Sequence, residues 1–407
     1  MKGFFSKEQL QVKGGEMKGV SCASCGLYKN AITPRMKPYG NFKKGIMVIG
    51  ESPAQEDDKK GKPFQSKGGR LLQRKLKSLG LNLFEDCICL NAVNCQPTDK
   101  KGAGRAPNDH EITCCRPKVL EAIKKYQPKV IILLGGIPTT SLIAYRWKGG
   151  ASGMSLWRGW AIPDREYNAW ICPTFHPVFI DRRGKDDEAG VIWERDFKQA
   201  LSKLRKPFPY PPDEEERIII TDDIAGVLEK MQDSSMMAFD LETTGLKPYN
   251  TEIHKIVTIS FCNNENEAYA CPFPTSRKHL RSLKRLLENP RVGKIAANMK
   301  YEDTWLNILH GIGVYPWKFD TMQAAHIQDN RPGITGLKFQ YYIQFGLLGY
   351  DDAIGPYMKA ADSYSVNRIP ELIASKEGLR KLLLYNGIDS LATFRLALRQ
   401  MKEMGIK

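Results

Sequence analysis

Met236-Met-Ala-Phe-Asp-Leu-Glu-Thr-Thr-Gly245 reads as a buried strand that ends in two carboxylates and a turn. Side chains two apart in a strand share a face, so Asp240 and Glu242 are predicted to converge at a sheet edge. Carboxylates that close repel unless a proton or a cation neutralises them. Two more acidic clusters follow. Lys300-Tyr-Glu-Asp303 comes after a strand-like Lys294-Ile-Ala-Ala-Asn298, and Tyr385 and Asp389 lie four apart, on one face of a helix predicted over 378–401. Lys255–Cys262 reads as a further strand and Arg277–Leu287 as a helix, so this half is α/β. One Asp-x-Glu alone is ordinarily a solvated turn. Three acidic clusters in order, each on a predicted element, are a site.

Upstream, Lys206-Pro-Phe-Pro-Tyr-Pro-Pro-Asp-Glu-Glu-Glu-Arg217 is rich in proline and then in acid. Proline fixes φ and removes donors, so residues 206–216 are predicted to be a semi-rigid linker between domains at 1–205 and 217–407. In the first domain, Ile46–Ile49, Cys87–Leu90, Val130–Leu134 and Trp170–Cys172 are short apolar runs, with helical patterns over Gly69–Leu79 and Asn108–Tyr126 between them. Strands alternating with helices predict a parallel sheet with helices on both faces.

The chain of 407 residues carries a net charge of +16, and all of it lies in 1–205, where 36 basic side chains face 20 acidic ones. Such a half suits a polyanion, or simply a solvated basic surface. No apolar run is long enough to cross a bilayer, and residues 1–20 hold no secretory core, so an intracellular, cytoplasmic protein without membrane partners is expected. Ten cysteines in a reducing compartment point to metal ligands or buried thiols rather than disulfides. Cys22-Ala-Ser-Cys25 by itself leaves redox, zinc and iron–sulfur readings open.

The C-terminal motifs resemble the proofreading exonuclease domains of family A DNA polymerases, in the tyrosine-bearing subclass of the DEDD superfamily. Asp240 and Glu242 match the first motif, Asn298-Met-Lys-Tyr-Glu302 the second and Tyr385-x-x-x-Asp389 the third, with further similarity at Phe319-Asp-Thr-Met322 and Gly336-Leu-Lys338. The resemblance implies a ribonuclease H-like fold and two Mg²⁺ or Mn²⁺ ions: Asp240 bridging, Glu242 and Asp389 completing one site, Tyr385 orienting the attacking water. The second-motif aspartate falls on Glu302, with Asp303 directly after it. Both are candidates, Glu302 the favoured one because Trp305 and Leu306 then occupy apolar helix positions.

Residues 20–205 resemble the iron–sulfur uracil-DNA glycosylases of family four. Gly50-Glu51-Ser52-Pro53 stands in the family's catalytic loop, Phe64 at the ring that stacks on the flipped base, Asn91 at the reader of uracil's polar edge, and His176 of Phe175-His-Pro177 at the stabiliser of the departing anion. Cys22, Cys25, Cys95 and Cys115 match the ligands of a [4Fe–4S] cluster, Cys114 being left as a buried thiol. Ala54 and Ser66 replace loop glycines and Val178 a serine. A side chain where the family uses glycine predicts weak uracil excision or none.

The order of the modules is similar to the N-terminal part of certain bacteriophage family A polymerases, which implies a 3′→5′ DNA exonuclease acting at a primer end or single strand beside a replicative polymerase, in the host cytoplasm for a phage-encoded chain. No polymerase module follows Lys407, so the polymerase is expected as a separate chain or a removed segment. The other readings are a non-catalytic DNA-binding accessory subunit and an active glycosylase–exonuclease repair fusion.

Overall fold

The computed structural model describes residues 21–147, 153–184, 188–209 and 213–406. Linker positions 210–212 and the first twenty residues lie outside them. The chain forms two compact units, the first of which also takes in Tyr342–Leu348.

In the first unit, strands β1 (Ile46–Gly50), β2 (Cys87–Asn91), β3 (Val130–Leu134), β4 (Ile162–Asp164) and β5 (Ala169–Thr174) form one sheet in the order β2-β1-β3-β5-β4. β1, β2, β3 and β5 are parallel and buried along their whole length, which is why each is a continuous apolar run. β4 pairs antiparallel with β5, so the sheet is mixed rather than purely parallel. Three residues around Pro163 give no periodic signal, and an edge strand tolerates the missing N–H. Helices α1 (Cys22–Cys25), α2 (Gln55–Lys60), α3 (Lys67–Ser78), α4 (Asp109–Tyr126), α5 (Pro177–Arg183) and α6 (Glu188–Ser202) join or cover the strands. Leu72 and Leu76 of α3 and Trp193 and Phe197 of α6 pack into one core with β1 and β3. The Tyr342 hydroxyl donates to Asp164 Oδ2 at 2.9 Å, where Arg146 also binds.

The second unit holds β6 (Ile218–Ile220), β7 (Met236–Thr243), β8 (Ile256–Cys262), β9 (Ala268–Pro272), β10 (Gly293–Ala296) and β11 (Trp317–Asp320), in the order β11-β10-β7-β8-β9-β6. β7, β8 and β9 form an antiparallel run, with parallel pairs on both sides of it. α7 (Arg277–Leu287) and α8 (Met299–His310) supply Leu283, Leu286, Trp305 and Leu306 to the core under β7. α9 (Lys376–Met404) is capped by Ser375 and ended by Gly405 at φ 69°. It is buried without a break from Leu382 to Ala397, and its buried polar side chains Asn386, Asp389 and Arg395 each have a hydrogen-bond partner. Gly387 permits this: a Cβ there would stand 2.3 Å from Ile218 Cγ2. Among the described residues no helix is long and apolar enough to cross a membrane.

Candidate functional site

β7 and α9 bring three carboxylates together. Asp240 and Glu242 point to the same side of β7, and Asp389 faces them from α9, one turn after Tyr385; each acid offers an oxygen within 4.8 Å of the other two. Asn386 Nδ2 donates to Asp240 Oδ2 at 2.7 Å, and the Tyr350 hydroxyl to Asp389 Oδ1 at 2.5 Å. Lys338 Nζ donates to the Tyr385 oxygen at 2.7 Å, and the Tyr350 and Tyr385 rings stack at 5.8 Å.

The two adjacent acids of α8 part company. Glu302 is buried and Asp240 is among the charges acting on it, and its Oε2 has no hydrogen-bond partner among the described residues. Asp303 Oδ1 instead accepts from Val314 N at 3.2 Å and braces the loop beyond the helix. Asn298 begins α8 at φ 83°, a left-handed turn that asparagine tolerates. The Tyr301 hydroxyl lies 2.5 Å from Thr243 Oγ1 and ties α8 to the end of β7.

Burial and then mutual repulsion push the carboxyls of Asp240 and Glu242 well above the usual range, and Glu302 follows for the same reasons. Burial raises Asp389 too, while Lys338 and the Tyr350 hydroxyl pull it back. Buried acids so crowded hold protons until a cation displaces them. The all-oxygen donor set and the orphaned Glu302 oxygen fit a hard divalent ion such as Mg²⁺ or Mn²⁺.

In the first unit, the carboxyl ends of the parallel strands form a second site. Gly50 ends β1 between Asn91 and Phe64: a Cβ there would lie 2.5 Å from Asn91 Oδ1 and 2.9 Å from the Phe64 ring. Phe64 sits at φ 59°, held by Gln73 Nε2 on its carbonyl at 2.8 Å and by the close approach of Gly69. Buried Asp57 ties the loops together, accepting from Ala54 N, Gln65 N and Ser66 N at 2.9, 2.6 and 3.0 Å. Burial raises the Glu51 carboxyl. His176 caps α5 by accepting from Val178 N on Nδ1 at 3.2 Å, which leaves the proton of the neutral ring on Nε2. Burial lowers this ring to about 4, so it is an uncharged donor at neutral pH.

At Ala54 the side chain denies the loop no glycine-only conformation. The φ values of Ala54 and Ser66 are −77° and −71°, backbone that any residue adopts.

Cys22, Cys25, Cys95, Cys114 and Cys115 line one cavity of about 640 Å³, and none of the ten cysteines is in a disulfide. Arg35 donates its backbone N–H to Cys95 Sγ and its Nε–H to Cys22 Sγ, both at 3.2 Å. Burial pushes the Cys115 thiol up to about 12. Cys114 Sγ lies 3.5 Å from Ser24 Oγ and 3.6 Å from His110 Nε2. Five thiols around one cavity, with N–H donors aimed at Cys22 and Cys95, are a donor set that fits an iron–sulfur cluster.

Tyr350, Asn386 and Asp57 are site residues that sequence reasoning missed, and Lys338, quoted in Gly336-Leu-Lys338, was given no role there. Asn386, next to Tyr385 on the acidic face of a helix, had a readable signal. Tyr350 had none, since it reaches Asp389 across 39 residues, and Asp57, which bonds the near neighbours Ala54, Gln65 and Ser66, belonged to no motif that marked it.

Residues 37–205 match the family described as the uracil DNA glycosylase superfamily, and residues 217–345 the family described as 3′-5′ exonuclease. A type-4 uracil-DNA glycosylase of Thermotoga maritima is 30% identical over 200 residues, 49% of this chain and 97% of that protein. A DNA polymerase of Bacillus phage SP01 is 26% identical over 397 residues, 89% of this chain and 40% of that polymerase. Among solved structures, the Aedes aegypti Nibbler EXO domain covers 47% of this chain and 92% of its own, at 13% identity and a TM-score of 0.34.

Proposed function

Because the chain belongs to the uracil-DNA glycosylase superfamily through residues 37–205 and carries a 3′-5′ exonuclease domain behind them, we propose that it is a proofreading-type, metal-dependent 3′→5′ DNA exonuclease that works beside a phage-type polymerase. The observation that carries this reading is the convergence of Asp240, Glu242 and Asp389 beside Tyr385. In it, Asp240, Glu242 and Asp389 hold one Mg²⁺ or Mn²⁺, and Asp240 with Glu302 serves a second. Such ions supply a nucleophile at neutral pH and neutralise the leaving 3′ oxygen. Tyr385, held by Lys338, orients the attacking water, and Asn386 fixes the Asp240 carboxylate. A 5′-labelled primer should be shortened stepwise from its 3′ end with Mg²⁺ or Mn²⁺ and stay intact in EDTA. A primer left whole in both would favour the DNA-binding accessory subunit.

The reading extends to Cys22, Cys25, Cys95 and Cys115 as ligands of a [4Fe–4S] cluster that staples α1 to α4. Protein purified without oxygen is then brown, with a band at about 400 nm that bleaches on reduction. Cys115→Ser should lose iron and colour, while Cys114→Ser should keep both. Stoichiometric zinc in place of iron would overturn the assignment.

A second activity is favoured by the ordinary backbone at Ala54 and Ser66 and by the uncharged His176. In this reading Phe64 stacks on a flipped uracil, Asn91 and Glu51 face its polar edge and sugar, and His176 Nε2–H receives the departing anion. Gly50→Ala tests the pocket from the side, because its Cβ displaces both Asn91 and the Phe64 ring. Excision should fall at least about tenfold with exonuclease activity unchanged. Undiminished excision would show that the pocket is not used.

A further inference from the structure

At the opposite end of the first sheet, where its parallel strands begin, two cavities of about 670 and 1090 Å³ adjoin and share Lys129, Leu204 and Lys206. Lys129 immediately precedes β3, and Lys124 closes α4 beside it. Trp170 of β5 floors the smaller cavity; Lys203 Nζ lies 4.3 Å over its ring and Phe208 meets it edge-on at 5.9 Å. Trp170 is 8% exposed, and its Nε1 has no hydrogen-bond partner among the described residues. Lys124, Lys129 and Lys206 are exposed and form no ion pair among the described residues. The carboxylate on the rim, Glu166, is already taken by Arg146 at 2.9 Å.

We infer that this face is a second binding track, for single-stranded DNA, separate from the pocket of Phe64, Asn91 and His176. Exposed Lys124, Lys129 and Lys206 near the half-buried Phe208 are the chemistry of a single strand, phosphates on the cations and a base against the ring. Two adjoining cavities with point charges along them suit a chain of phosphates better than one compact anion. The separation follows from topology. Gly50 and Asn91 end their strands while Lys129 starts one, and a five-residue strand spans roughly 16 Å, so the two faces lie at opposite ends of the sheet. A strand held there would keep the chain on DNA whichever catalytic site is engaged. The inference does not rest on either catalytic reading, since it concerns binding alone.

The test uses the full chain in EDTA, which silences metal-dependent digestion, and a labelled oligothymidylate, which contains no uracil. Its affinity is read by anisotropy across a salt series. Lys129→Glu/Lys206→Glu should weaken binding at least about tenfold and flatten the slope of log K against log salt by about 2. Both positions are exposed, so the thermal midpoint should be kept; the milder Lys124→Gln/Lys206→Gln gives the same readout if the first pair does not fold. Unchanged affinity and slope would overturn the inference. So would displacement of the oligonucleotide by millimolar thymidine triphosphate, which would make the face a nucleotide pocket.

Discussion

Asp240→Ala and Asp389→Ala should each slow 3′→5′ digestion of a labelled primer by about three orders of magnitude or more, with DNA binding in EDTA retained. Each removes one of three converging oxygens that no other described side chain replaces. Neither loss should unfold the unit: a buried carboxyl raised by crowding costs the metal-free fold stability, so removing one relieves repulsion. Glu302 and Asp303 give the sharper contrast. Glu302→Gln should cost about a hundredfold, because it discharges a buried oxygen beside Asp240. Asp303→Asn should be nearly silent, since an amide oxygen still accepts from Val314 N. A tenth of the wild-type rate in Asp240→Ala would sink the metal assignment, and a reversed order in the second pair would shift the second motif by one residue.

His176→Ala should reduce uracil excision by about 10²–10³, assayed as alkali-labile cleavage of uracil-containing single strands in an Asp240→Ala background. Alanine removes the Nε2–H donor and also the α5 cap, worth about 1 kcal/mol. His176→Asn retains an acceptor for Val178 N and separates the two effects: its fold should recover and its excision should not. The pH profile carries the same signature. The ring is uncharged down to about 4, so excision should hold from neutral pH to about 5 and fall only near 4, not near the 6.5 of an ordinary histidine. The stability it contributes runs the same way. A folded-state value below the unfolded one means stability present above 6.5 and lost as pH falls through about 4. Excision that persists in His176→Ala, or an acid limb near 6.5, would overturn the role given to His176, whereas no excision by the chain that keeps His176 would leave the domain a DNA grip.

Local pattern alone carried much of this molecule. Val130-Ile-Ile-Leu-Leu134 read as a buried strand, and Met236–Glu242 as a strand with two acids on one side of a sheet edge, because side-chain period and apolar burial act between near neighbours. The long C-terminal helix and its Tyr385–Asp389 face were legible for the same reason. Edge strands β4, β6 and β11 were not. Runs of three or four residues hold too little periodicity, and their partners supply the pairing.

What the sequence determined by itself was most of the elements and the residue types gathered on them: acids at the end of β7 and on α9, cysteines near residues 22–25 and 95–115, and Phe64, Asn91 and His176 near strand ends. The tertiary structure decided which neighbour does what. Glu302 and Asp303 are equivalent as letters, and only helix phase turns one inward beside Asp240 and the other toward Val314. Ala54 and Ser66 looked like lost glycines until their φ values showed ordinary backbone. Tyr350 reaches Asp389 across 39 residues and Tyr342 reaches Asp164 across 178. Such contacts depend on orientation within a packed interior, which no spacing along the chain encodes.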